Sequence, residues 1–203
     1  LAVDWLENKR QKDKPFMLMV QHKAPHRNWM PALRHLDLYA DVEIPEPPTL
    51  FDKWEDNAPA ARLQELEIDR HMDLNYDLFL DLTPEFNQPP SQLRQDRSAW
   101  HNMKRMSPEQ LAKWRSHYGP KDKAFHEAKL SGKDLVRWKF QRYAKNYLRC
   151  VKGVDESVDN LQKTLEKLGL DKNTIVIYSS DQGFYIGDHG WYDKRWMYDE
   201  SLK

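Results

Sequence analysis

The sequence predicts an α/β fold with few parallel strands and long helices, and three features carry that prediction. Residues 16–20, Phe-Met-Leu-Met-Val, form a short uninterrupted apolar run, the pattern of a strand buried on both faces of a parallel sheet. Residues 174–178, Thr-Ile-Val-Ile-Tyr, form a second such run rich in β-branched side chains. Between them, Phe140, Tyr143, Tyr147, Val151, Val154, Val158, Leu161, Leu165 and Leu168 recur at steps of three and four, the spacing of one long amphipathic helix.

The elements follow in order. Residues 3–10 have the helical spacing of Val3 and Leu6 with Trp5 beside them, and a charged turn at 11–14 leads through Pro15 into the first strand. Pro25, Pro31, Pro45, Pro47 and Pro48 then block regular structure, so residues 23–48 are expected to form a long ordered loop. Residues 59–72 read as a helix with Leu63, Leu66 and Met72 inward, and the polar, proline-containing stretch 83–96 as a surface crossing. Ser107-Pro108-Glu109-Gln110 is a helix start with a capping box and proline at the first helical position. Residues 131–134 repeat the capping-box pattern, and Gly169 ends the long helix before Asn173 introduces the second strand.

Composition narrows the function. The 203 residues carry 32 Lys+Arg against 32 Asp+Glu, so no global field recruits nucleic acid or an acidic membrane surface. The basic stretch 103–149, with Trp114, Tyr118, Trp138 and Tyr147 interleaved, superficially fits a nucleic-acid surface. Its aromatics fall on helical core spacing and acids interrupt it, so it is expected to be a helical layer instead. No apolar stretch is long enough to span a bilayer, and the N-terminus lacks a signal-peptide pattern. The single cysteine, Cys150, excludes an intrachain disulfide and a cysteine-based metal cluster. One domain is the expectation for residues 1–203.

In α/β sheets ligands bind just past the carboxyl ends of the strands, which selects residues 22–26 and 179–189. Ser180-Asp181-Gln182-Gly183 sets a carboxylate beside a side-chain amide, two hard oxygens suited to Ca²⁺ or Mg²⁺ but too few to hold either alone. The alternative is that Asp181 only caps the turn. His22-Lys23-Ala24-Pro25-His26 gives two imidazoles and an ammonium on a stiffened loop, a setting for an anion. Zinc competes there, yet the four-residue spacing of His22 and His26 serves a metal on a helix and Pro25 opposes helix. Gly187-Asp188-His189-Gly190 and Asp193-Lys194-Arg195-Trp196 follow, and Lys194 is either an ammonium set against a bound oxyanion or an ordinary solvated lysine.

Taken in order and spacing, these segments, continuing through Met197-Tyr198-Asp199-Glu200-Ser201, resemble the later active-site segments of the sulfatase family. Pro47-Pro48-Thr49-Leu50 and Val154-Asp155-Glu156 are similar to that family as well, so the resemblance spans essentially the whole chain. It implies an incomplete alkaline-phosphatase-like three-layer sandwich. It also implies that Asp181 and Gln182 ligate calcium, that His26 and Lys194 contact the sulfate or ester oxygen, and that His22 and His189 reach substrate. Gln182 departs from the family's usual Asn or His, although its amide oxygen is still a ligand.

The family's nucleophile is a formylglycine made within a C/S-x-P-x-R motif, preceded by two calcium-binding aspartates. This chain contains no such motif, and Cys150, followed by Val151-Lys152-Gly153-Val154, does not begin one. The expectation is therefore a partial catalytic domain without the nucleophile segment and without the C-terminal subdomain, inactive alone and needing the missing segment of its own domain to cover the sheet. The resemblance implies a sulfuric ester hydrolase acting on a sulfated sugar, periplasmic or secreted. A phosphate or phosphonate ester hydrolase of the same superfamily, or a non-enzymatic binding module, are the alternatives.

Overall fold

In the computed structural model, which describes residues 1–55, 57–81 and 99–202, the two longest helices stand where capping and spacing put them. A short helical turn α1 (Ala2–Asp4) continues as a wider π-type turn over Trp5–Lys9. Helix α2 (Pro59–Leu63) and helix α3 (Ala99–Met103) are one turn each, and α4 (Pro108–Ala128) and α5 (Gly132–Lys167) form the scaffold. The expected surface crossing at 83–96 lies outside the described residues.

Helix α4 begins as its sequence demands: Gln110 N–H donates to Ser107 Oγ at 3.3 Å and Ser107 N–H to Gln110 Oε1 at 2.8 Å. At α5 the second capping box does not form. Ser131 makes no side-chain cap bond, and the chain enters through Gly132 at φ +53°, a left-handed value that departs from the regular first turn such a box needs. The exit is as expected. Gly169 adopts φ +65°, its N–H donates to Glu166 O and Leu170 N–H to Leu165 O, so the last carbonyls are satisfied by a left-handed turn.

Helix α5 buries Val136, Phe140, Tyr143 and Ala144 in the main core with Trp29, Leu50, Ile68, Met72, Leu78 and Tyr192. Its polar residues are consumed inside the fold. Lys139 Nζ donates to the carbonyls of Ile68, Asp69 and Met72, and Arg142 Nε donates to Leu78 O. Arg142 Nη2 also meets Asp122 Oδ1 of α4 at 2.9 Å, with both side chains almost wholly buried. The basic stretch thus welds α4 to α5 and anchors the long loop, where Gln141 bonds both the N–H and the C=O of Ile44.

Two expectations fail for one reason. Residues 16–20 and 174–178 form no strand ladder; Met17 is 84% exposed, Ile175 89% and Ile177 83%. A strand is stable only when its N–H and C=O groups find a neighbour, and neither run has one within the described residues. The sheet that does form is a small antiparallel hairpin of β1 (Tyr185–Ile186) and β2 (Tyr192–Asp193), with Tyr185 opposite Asp193 and Ile186 opposite Tyr192. Neighbouring backbone also cuts short the helix expected at 59–72. It stops at Leu63, whose side chain is 79% exposed, because Ile68 N–H donates to Gly190 O and Leu66 O accepts from Tyr192 N–H. Residues 66–68 thereby become a third edge beside β2, bridged at Glu67 and Trp191.

Candidate active site

Trp29, fully buried, gathers the site segments. Its ring lies 4.6 Å from Tyr143 of α5, 5.8 Å from Phe184 and 6.1 Å from Tyr192. Trp29 belongs to the loop that carries His26, Phe184 directly follows Gly183, and Tyr192 lies two residues before Lys194. The Trp29 loop and the two ends of the 184–193 segment therefore share one aromatic cluster. Arg27 tightens the junction by donating from Nε and Nη2 to Asp77 at 2.5 and 2.7 Å while its guanidinium sits 5.2 Å from the centre of the Tyr192 ring. Burial works against that charge, but the bonds to Asp77 outweigh it and raise the guanidinium above its ordinary value. Tyr143 OH donates to Tyr185 O at 2.6 Å, fixing the hairpin on α5.

Each candidate residue then has a place. His26 is exposed, with Nδ1 bonded to Arg27 O at 2.7 Å, which assigns the hydrogen to Nδ1 and leaves Nε2 without a partner among the described residues. Asp181 and Gln182 are exposed on a turn closed by Ser180, whose hydroxyl donates to Gln182 O at 2.6 Å and accepts from Gln182 N–H at 3.3 Å. Lys194 is half-buried and has no hydrogen-bond or ion-pair partner among the described residues. His22 is tied instead to α5, its Nε2 lying 2.8 Å from Ser157 Oγ. His189 is held at both ring nitrogens, Nδ1 at 3.0 Å from Asp52 and Nε2 at 3.3 Å from Glu200. No direct hydrogen bond joins any two of the six, so what unites His26, Gln182 and Lys194 is the aromatic floor rather than mutual contact.

Glycine at two positions is dictated by space. A Cβ on Gly183 would lie 0.9 Å from Ser201 O, because the chain at 199–202 crosses directly over the Ser180–Gly183 turn. A Cβ on Gly187, at φ +95°, would lie 2.7 Å from Phe140.

The donor chemistry of Asp181 and Gln182 fits a hard cation: Asp181 carries no partner among the described residues that a metal would have to displace, and both offer oxygen. No group of three or more His, Cys, Asp or Glu able to hold a metal is found among the described residues, so the turn supplies two ligands of the six to eight that calcium takes.

Residues 1–202 match the family model of the sulfatases. The chain belongs to the sulfatase family. It is 44% identical over its whole length to an N-acetylglucosamine-6-O-sulfatase of Bacteroides thetaiotaomicron, of which it covers 35%. Over 57 residues, 28% of the chain and 9% of the relative, it is 40% identical to an arylsulfatase of Volvox carteri. A solved structure of a protein in complex with its substrate D-glucosamine-2-N,6-O-disulfate superimposes with a TM-score of 0.88 at 43% identity, covering all of this chain and 40% of that one. The sulfatase chain thus spans little more than a third of the length of the relatives it matches. Its fold class is the α/β alkaline-phosphatase-like one, represented here by the helical scaffold and the hairpin.

One buried acid beside the candidate residues was not singled out in the sequence. Asp193, in left-handed backbone at φ +65°, is fully buried and neither carboxylate oxygen has a hydrogen bond among the described residues; Arg195 Nη2 approaches Oδ2 at 3.5 Å. A charged residue placed between Tyr192 and Lys194 was the available signal, but an acid in so polar a segment reads equally well as solvated.

Proposed function

We propose that this chain carries the metal-turn and sulfate-contact half of a sulfatase active site, and that the whole protein hydrolyses a sulfate ester on a glucosamine-type sugar. The observation that carries the reading is the convergence of the His26 loop, the Asp181–Gln182 turn and the Lys194 segment on the Trp29 cluster, in a chain of the sulfatase family. Asp181 and Gln182 would hold Ca²⁺, with Mg²⁺ the competing ion, and a bound cation would offset the charge of the sulfate. His26, its Nδ1–H committed to Arg27 O and its orientation set by that bond, donates to the ester oxygen from Nε2–H when that nitrogen also carries a proton. Lys194, without a counter-ion among the described residues, offers its ammonium to the sulfate. His22 and His189 have partners within the chain, which makes them the weaker of the four candidate substrate contacts. The nucleophilic formylglycine belongs to sequence this chain does not contain. No described helix is long and apolar enough to cross a membrane; a periplasmic or secreted location is the family-based reading.

Sulfate release from glucosamine 6-O-sulfate by the intact protein is the test. Lys194→Ala and His26→Ala are each expected to lower kcat/KM by about 100- to 1000-fold, the size of losing one preorganised charge-stabilising group. The 203-residue chain alone is expected to release none. Retention of activity in both variants, or a preference of the intact protein for phosphate monoesters, would overturn the assignment.

A further inference from the structure

The histidine that sequence places against substrate has both ring nitrogens engaged by carboxylates from elsewhere. Asp52 lies in the loop after Pro47-Pro48, Glu200 in the short helical turn Asp199–Ser201, and His189 in the hairpin between them, with contacts of 3.0 and 3.3 Å. The backbone holds the imidazole in place. His189 N–H donates to Thr49 Oγ1 at 2.9 Å, and His189 O accepts from Trp54 Nε1 at 3.2 Å. Trp191 is stacked between Trp54 at 4.3 Å and Tyr198 at 5.6 Å, so the same three segments are also layered through their rings. The piece of chain that Glu200 brings to this junction is the piece that presses on Gly183, where Ser201 O occupies the space of a side chain. Ser201 Oγ bonds back to Trp196 O and Tyr198 O, at 2.9 and 3.0 Å, and Tyr185 OH donates to Trp196 O at 3.1 Å, so residues 196–202 form a strap tied to itself and to β1.

We infer that Asp52, His189 and Glu200 form a clamp that holds the 196–202 strap down on the Ser180–Gly183 turn, making His189 a positioning residue for the Asp181–Gln182 pair rather than a substrate contact. This rests on the proposal that the turn binds calcium. Shape is what couples the two: with no Cβ at Gly183, the strap is the roof of the turn, and a lifted roof frees the backbone that carries both ligands. Groups that orient metal ligands from behind act in this way without touching the ion.

The experiment measures Ca²⁺ binding by calorimetry on the intact, chelator-stripped protein, with Ca²⁺ alone as probe. Asp52→Asn, Glu200→Gln and His189→Gln are each expected to weaken the Kd by about 10-fold. The double variant Asp52→Asn/Glu200→Gln is expected to be no weaker than His189→Gln, and Asp52→Glu, which keeps a carboxylate, to restore most of the loss. Near-UV circular dichroism identifies which variants are folded. Unchanged Kd in folded Asp52→Asn and Glu200→Gln, alongside loss of binding in Asp181→Ala, would overturn the clamp and leave the metal turn standing. A raised KM for sulfated sugar in His189→Gln alone, with Kd intact, would overturn it in favour of substrate contact. Wild-type protein that binds no Ca²⁺ would overturn both readings.

Discussion

The hairpin at 184–193 and the apolar runs at 16–20 and 174–178 exchange the roles their sequences suggest. The hairpin is crowded with charge and aromatic polarity, yet Tyr185, Trp191, Tyr192 and Asp193 are buried. The runs are the most strand-like segments of the chain, yet Ile175 and Ile177 stand almost fully exposed. Hydrogen-bond partners explain the difference. The hairpin finds them in itself, in residues 66–68 and in Tyr143, whereas the runs have no ladder neighbour among the described residues. Apolar composition makes a strand worth burying, but only a paired edge makes it a strand.

Substitutions on the two sides should widen this contrast. The largest effect is expected from Arg27→Ala, which strands Asp77 as an unpaired charge in the interior; removing one partner of such a pair costs about 3–5 kcal/mol, read as the urea-unfolding free energy. Trp29→Ala should cost a similar amount, about 3–5 kcal/mol, and should also disorder the hairpin aromatics in near-UV circular dichroism. Gly183→Ala forces the strap away from the turn and should cost about 1–3 kcal/mol; a neutral result would mean that the strap is not seated on Gly183. Ile177→Ser, in the exposed run, should change the stability of the 203-residue chain by less than about 0.5 kcal/mol while reducing its self-association in sedimentation. A cost comparable to that of Trp29→Ala would erase the comparison.

A pH slope is also expected in the scaffold that carries the hairpin. His117 is pushed down to about 4, first by burial and then by the neighbouring Lys121 charge, against the opposing pull of Asp37. A folded-state value below the unfolded one means that the unfolded chain binds the proton more readily. This contribution is therefore fully present above about pH 6.5 and is lost as pH falls toward 4. His117→Gln should flatten that acid limb of a stability-against-pH curve.

Legibility divides along the same line. Ser107 and Gln110 announce the start of α4, Gly169 announces the end of α5, and Phe140 and Tyr143 mark the buried face, because each of these signals acts within a few residues. Val151, on the same predicted face, is 37% exposed, which sequence spacing had no means to foresee. At the candidate site, the residues proposed to hold a metal and to contact sulfate were legible as chemistry and order, and family membership supports that order. The double engagement of His189 and the buried carboxylate of Asp193 were not legible, since both depend on groups brought in from distant segments.

By itself the sequence determined where α4 begins, where α5 ends, and which family the chain joins. A helix closes its bonds four residues away, and a motif's identity travels with its order, so both are written locally. Only the tertiary structure decided that residues 66–68 pair with the hairpin instead of extending a helix, and that His189 is a tie between loops. Each of those outcomes turns on a partner far along the chain, and a hydrogen bond between distant segments leaves no period in the sequence that makes it.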